Sequence, residues 1–284
     1  MKDFNYVKAE NLQDALLQLS RLGEECIVLA GGTNVMVNIH LGKCRAGTLL
    51  DITGVSELSG IRFSDASVFI GATTTVHELS VTEELKKAAP ALYMAACSFA
   101  EATTRRSATI GGNIGNASSG GDLLPPLLVL DAKVHLKSIG GSRVVRLEEL
   151  FQRPGKLNKD PSELIVGVEF PREIRTGFVK LGPRNTMAIS IATAAAYADT
   201  DENGLVRDCR IALGAVAPLP VRARHAEDAI RGSALNDDCL ARMAEAVVQD
   251  INPRNPSVRA SVEYRRSVVP ELAWRALKIA ASQE

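Results

Sequence analysis

The stretch TIGGNIGNASSGGD, residues 109–122, carries five glycines among fourteen residues. It has little apolar surface to bury and much backbone entropy to lose, so it is no core element. A second segment of the same character, AGGTNV at residues 30–35, follows the short apolar run CIVLA at 26–30. Glycine pairs let consecutive backbone N–H groups converge into an anion-binding concavity, because no Cβ blocks close approach. Thr33, Asn34, Thr109 and Asn113 add hydroxyl and amide groups beside them. Taken singly, either pair reads as a tight turn using glycine for positive φ. Taken together, on different elements, they suit the two ends of a pyrophosphate and point to a nucleotide-cofactor site. Neither is a P-loop, since no Gly-Lys-Ser/Thr closes it, and neither has the G-x-G-x-x-G spacing of a Rossmann site.

Outward from these loops, Asn11 precedes Leu12, Ala15, Leu16, Leu19 and Leu22, one face of a helix, and Gly23 stands where a C-terminal cap belongs. Residues 26–30 predict a short buried strand and 48–53 a second. Paired strands are expected at 61–63 and 68–71, then one helix over about 85–100. A polar turn at 103–107 leads into the glycine-rich loop, whose last residue, Asp122, is placed to cap a short helix reaching Leu130. Pro125 and Pro126 are tolerated in its first turn. Residues 133–137 and 164–170 alternate as strands, with a loop at 153–161 between them. From Pro171 a hinge leads to an antiparallel pair, 190–198 and 209–217, around a turn at 201–204. The tail is helical, with an interruption or kink expected at Pro270. Strands and helices mix without regular β-α-β alternation, so the fold class is α+β.

Composition narrows the function classes. Thirty-three basic residues balance thirty-three acidic ones, so no global field draws nucleic acid or an anionic membrane. Aromatic residues at 4% argue against base-stacking platforms. No apolar run approaches the roughly 20 residues of a membrane span, and the first residues lack a signal-peptide core. Five scattered cysteines and four isolated histidines offer neither a disulfide framework nor metal-ligand spacing. Reduced thiols in the cytoplasm are the expectation.

An ordered series of motifs over nearly the whole chain resembles the FAD-binding medium subunits of molybdenum hydroxylases, the xanthine, carbon monoxide and nicotinate dehydrogenase family. It comprises LAGGTNVM (29–36), TIGGNIGNASSGGDLLPPLLVLDAKVHL (109–136), ELIVGVEFP (163–171), FVKLGPR (178–184), IALGAVAPLPVRARHAEDAIRG (211–232) and YRRSVVPELAWRAL (264–277). The resemblance implies a two-part FAD-binding domain of the vanillyl-alcohol-oxidase type over residues 1–175, with parts 1–54 and 55–175, and a smaller α+β domain over 176–284. Mapped residue by residue, it implies that Ala30, Gly31, Gly32, Thr33, Asn34 and Val35, with Thr109, Gly111, Gly112 and Asn113, contact the FAD pyrophosphate, and that Leu29 and Met36 at the ends of the first loop are cofactor-binding too. Asn116 and Asp122 would lie along the ribityl, phosphate or ribose part, and Phe99, Ile165 and Lys180 beside the cofactor. Read without the resemblance, Phe99 ends a helix's core face, Ile165 is a strand residue and Lys180 a solvated charge. The chain departs from the family in Asn34, where many relatives carry Asp, in Gly120-Gly121, and in Pro270.

The resemblance further implies a relay. A molybdopterin subunit oxidises a substrate, a small subunit passes electrons through [2Fe-2S] clusters, and FAD in this subunit delivers them to NAD+, oxygen or another acceptor. No catalytic side chain and no metal ligand is expected here, and without a histidine tether the FAD is expected to be non-covalent. Two other readings compete. A free-standing flavin oxidase would need acid–base residues that the tail, mostly small and apolar, does not offer. In a non-catalytic assembly module the glycine loops would be turns.

Overall fold

The computed structural model describes residues 4–44, 47–184 and 187–283, so the outer limits expected at residues 1 and 284 lie outside it. Strand β1 (Asn5–Lys8) leads into helix α1 (Leu12–Leu22), whose Asn11 side chain accepts from the Asp14 N–H at 2.9 Å. Gly23 closes it at φ +53, donating to Leu19 O. Strand β2 (Cys26–Leu29), helix α2 (Val35–His40) and strand β3 (Thr48–Asp51) follow. The three strands form a parallel sheet in the order β1-β3-β2. β3 is buried throughout, whereas β2 is half-buried along its length, not buried as the sequence predicts. An edge strand lacks a neighbour on one side. Ala15, Leu16 and Leu19 of α1 pack with Leu50, Ile52, Val55 and Leu58 in a small core of their own.

The middle of the chain builds a five-stranded antiparallel sheet in the order β4-β5-β10-β6-β7 from β4 (Ile61–Phe63), β5 (Ser67–Gly71), β6 (Lys133–Ser138), β7 (Gly141–Arg146) and β10 (Leu164–Pro171). A short helix α9 (Leu147–Leu150) follows β7, and a two-stranded ribbon, β8 (Phe151–Arg153) with β9 (Lys156–Leu157), reaches into the expected 153–161 loop. A short helix α3 (Val76–Val81) comes before residue 85, and the single helix predicted over 85–100 is two short ones, α4 (Glu83–Ala88) and α5 (Pro90–Cys97). Pro90 lacks an N–H and starts a helix instead of continuing one. The polar run at 103–107 is helical too, as α6 (Ala102–Ser107), and so is the start of the glycine-rich stretch, as α7 (Ile110–Gly115). Helix α8 (Leu124–Val129) is wholly buried.

Strands β11 (Thr176–Leu181), β12 (Ala192–Thr200), β13 (Val206–Gly214) and β14 (Val221–Arg222) form an antiparallel sheet in that order. Helices α10 (Arg224–Ile230), α11 (Asp237–Val247) and α12 (Val262–Ala281) complete the chain. Both faces of β12 are covered. Ala192, Ala194, Ala196 and Ala198 join the core under α12, while Ala195 and Tyr197 join the core of the middle region. Small side chains let the layers close on both sides. Of the two outcomes expected at Pro270, a break into two helices does not occur: α12 continues through it, with Val269, Leu272, Ala273 and Ala276 buried around it.

Candidate functional site

The two glycine segments meet, and they do different things. Gly31 lies so close to the end of α6 that a Cβ on it would stand 1.6 Å from Ser107 O. Asn34 Nδ2 donates to Asn116 Oδ1 at 2.5 Å, tying the first loop to the end of α7. Gly32, at φ +68, takes the left-handed conformation that glycine suits. Among the described residues, no protein acceptor meets the backbone N–H groups of Gly31, Gly32, Thr33, Asn34 or Val35. These five consecutive donors stand between the half-buried Leu29 and Ala30 and the exposed Met36.

The second segment was expected to offer backbone donors in the same way, and it does not. Ile110 N–H donates to Thr74 O at 3.0 Å and Gly111 N–H to Ala72 O at 2.8 Å. Gly112 N–H goes to the capping Thr109 Oγ1 at 3.0 Å and Asn113 N–H to Thr109 O at 2.9 Å. Glycine here serves close approach, since a Cβ on Gly111 would meet Ala72 O at 2.6 Å. Ile110 and Ile114 are fully buried, which turns Gly112 and Gly115 outward with the half-buried Asn113 and Asn116. A Cβ on Gly115 would meet nothing nearer than Ile165 Cδ1 at 3.9 Å, so Ile165 flanks this glycine–asparagine face. The buried Asn113 Oδ1 has no hydrogen-bond partner, and it lies 3.1 Å from where a Cβ of Gly121 would be.

Asp122 does not cap α8. The N-cap is Leu123, without a side-chain bond. The buried Asp122 carboxylate instead accepts from Lys180 Nζ at Oδ2 and from Ser190 Oγ at Oδ1, both at 2.6 Å. Lys180 also donates to Ser98 O at 3.0 Å, one residue from Phe99. Its side chain is 11% exposed, so it is a buried, paired cation and no solvated one. Phe99 packs partly buried on the middle core, and its carbonyl accepts from Arg105 Nη1 at 2.8 Å. The first loop thus meets the end of α7 through Asn34 and Asn116, and Asp122, beside Gly121, ties this stretch to β11 through Lys180. Sequence reading missed Ser190 and Gly115. The first lies 68 positions from its partner Asp122, and the second was hidden by taking a helix for a loop.

A family model described as the FAD binding domain in molybdopterin dehydrogenase matches residues 2–173. The CO dehydrogenase flavoprotein C-terminal domain matches residues 178–280. The chain belongs to the FAD-binding subunits of the molybdenum hydroxylases. It is 34% identical to a xanthine dehydrogenase FAD-binding subunit of Escherichia coli O157:H7, covering 99% of this chain and 98% of that one. It is 32% identical to a glyceraldehyde dehydrogenase medium chain of Sulfolobus acidocaldarius, covering 97% and 98%. Its fold matches reconstituted CO dehydrogenase from Oligotropha carboxidovorans with a TM-score of 0.94 at 26% identity, over 100% of this chain and 99% of that one.

The residues of this FAD-binding subunit fit the cofactor. Five unclaimed backbone donors suit a diphosphate, the unpaired Asn113 Oδ1 awaits a donor, and the open surface over Gly115 leaves room for a flat or extended group. A surface hollow of about 370 Å³ lined by Asp131, Lys133, Arg146 and Glu169 shares no residue with this site. Among the described residues no helix is long and apolar enough to cross a membrane, and no cluster of three or more His, Cys, Asp or Glu could hold a metal.

Proposed function

We propose that this subunit holds FAD non-covalently as the electron-collecting station of a multi-subunit cytoplasmic molybdenum hydroxylase. Electrons reach it from [2Fe-2S] clusters of a small subunit, after a large molybdopterin subunit has oxidised the substrate. When bound, FAD supplies two-electron redox chemistry and hands the electrons to NAD+, oxygen or another acceptor. The observation that carries this reading is the run of five unclaimed N–H groups at Gly31–Val35, drawn against α7 by the Asn34–Asn116 bond. Fixed dipoles satisfy a diphosphate without a lysine beside it.

Each remaining role follows from position. Thr109 caps α7 and so holds Gly111, Gly112 and Asn113 in place. Asn113 binds through its side chain, because its backbone is committed within the helix. Asn116 and Asp122 would lie along the ribityl, phosphate or ribose part, and Phe99 and Ile165 would offer apolar surface to the cofactor. Lys180 brings the C-terminal domain, residues 176–284, onto the FAD-binding domain, residues 1–175. This division of labour leaves the chain without proton-transfer chemistry of its own.

Adding FAD to the purified chain tests the reading. Expected are flavin absorbance that survives gel filtration, release of the FAD by acid, and a higher melting temperature. Free FAD at 100 times its Kd stabilises the fold by about 2.7 kcal/mol. A chain that stays colourless and melts unchanged overturns the proposal. Hydroxylase activity is expected only after co-expression with the [2Fe-2S] and molybdopterin subunits.

A further inference from the structure

We infer that Ser190 is a positioning residue that sets the redox poise of the flavin site, an inference that rests on the reading above. Ser190 is 1% exposed, and its Oγ donates to Asp122 Oδ1 at 2.6 Å. The other carboxylate oxygen accepts from Lys180, which is also held by Ser98 O beside Phe99. Asp122 is itself 6% exposed, so these two donors carry nearly all its solvation. The backbone just after Ser190 is tied through both the N–H and the C=O of Ile191. Ile191 N–H donates to Leu181 O at 2.8 Å, and Ile191 O accepts from the buried Arg265 Nε at 3.0 Å. The hydroxyl is thus delivered from a fixed strand entry, while Met187 and Ile189 in the same loop are exposed.

The consequence for the cofactor has a definite sign. A hydroxyl on Oδ1 draws carboxylate charge away from the Lys180 side. Without it, Asp122 presents more negative charge at the site and pulls harder on the Lys180 ammonium. Both effects disfavour the added negative charge of reduced FAD relative to oxidised FAD. Ser190 therefore keeps the reduced cofactor favoured through Asp122 and Lys180, without touching it.

The test compares midpoint potentials of FAD-loaded wild type, Ser190→Ala, Asp122→Asn and the double variant. Ser190→Ala is expected to retain FAD while its preference for the oxidised form rises about tenfold, a fall of about 30 mV for a two-electron couple. The same substitution is expected to change nothing in the Asp122→Asn background, a non-additivity that loss of packing would not produce. An unchanged potential in Ser190→Ala, or an equal fall in both backgrounds, overturns the inference. Should Ser190→Ala fail to fold, Ser190→Cys, a weaker donor, is expected to lower the potential by less, and no change in it counts against the inference equally. Failure of the wild type to take up FAD would overturn the cofactor reading itself, a result distinct from any of these.

Discussion

Gly31 has no room for a methyl group. A Cβ there would stand 1.6 Å from Ser107 O and 2.4 Å from Ser107 carbonyl carbon, so backbone would have to yield. Gly31→Ala is expected to cost about 1–3 kcal/mol through overpacking and to strip FAD from the purified chain, read as the flavin-to-protein ratio. Gly115 is the contrasting case, because its nearest neighbour would be 3.9 Å away. Gly115→Ala should leave the FAD-free chain as stable as wild type or more so, by up to about 1 kcal/mol from helix propensity, yet weaken FAD binding. Urea unfolding and FAD titration together separate the two effects, and undiminished binding by Gly115→Ala would remove the open-surface argument. Cysteine chemistry follows burial in the same way. Burial, with the Glu227 carboxylate nearby, pushes the Cys209 thiol up to about 12, while Cys97 is exposed. Mild alkylation of the native chain is expected to label Cys97 and spare Cys209, checked by mass spectrometry of the peptides.

At the scale of elements, α7 forms against its own composition. Three glycines in six residues cost about 3 kcal/mol relative to alanine. Burial of Ile110 and Ile114, the bonds to Thr74 and Ala72, and the Thr109 cap offset this. Thr109→Ala is therefore expected to lose about 1 kcal/mol of stability and to weaken FAD binding with it, both read by chemical unfolding with and without FAD. Local pattern alone misjudged this element, because it is not held mainly by its own propensities. The entry to strand β10 carries a small acid-sensitive contribution. Just before it, Glu163 accepts from Arg143 Nε at 2.5 Å and Nη2 at 2.9 Å, and from Asp160 N–H at 2.8 Å. Hydrogen bonding to Arg143 holds its carboxyl below the ordinary 4.5, against the opposing effect of burial. A depressed carboxyl stabilises the fold above its unfolded-state value and ceases to as pH falls through the folded one. The stability gap between wild type and Glu163→Gln should be present near neutral pH and close in acid. It is about 1 kcal/mol at most, since Arg143 is 44% exposed.

Across the whole molecule, charge as well as packing holds the C-terminal sheet against the rest of the chain. Asp131, at the end of α8, accepts from Arg210 at 2.6 Å and Arg222 at 3.2 Å on the C-terminal sheet. Arg222 in turn pairs bidentately with Glu227, the two side chains 5% and 4% exposed. Glu227→Ala leaves a buried guanidinium short of its partner and Ile211 N–H without its acceptor, an expected loss of about 3 kcal/mol measurable by urea unfolding. The amino-acid order alone determined the α+β class, the helix from Asn11 to Gly23, most strands, and the two glycine segments that mark the family. These signals are legible because periodicity, capping and glycine pairs act between residues only a few positions apart. Only the tertiary structure decided that the segments touch, that one keeps its backbone donors unclaimed while the other spends them, and that Asp122 serves Lys180 and Ser190 instead of a helix. The partners in those bonds lie 58 to 82 positions apart, where hydrogen-bond satisfaction in a shared interior, and no local preference, chooses who meets whom.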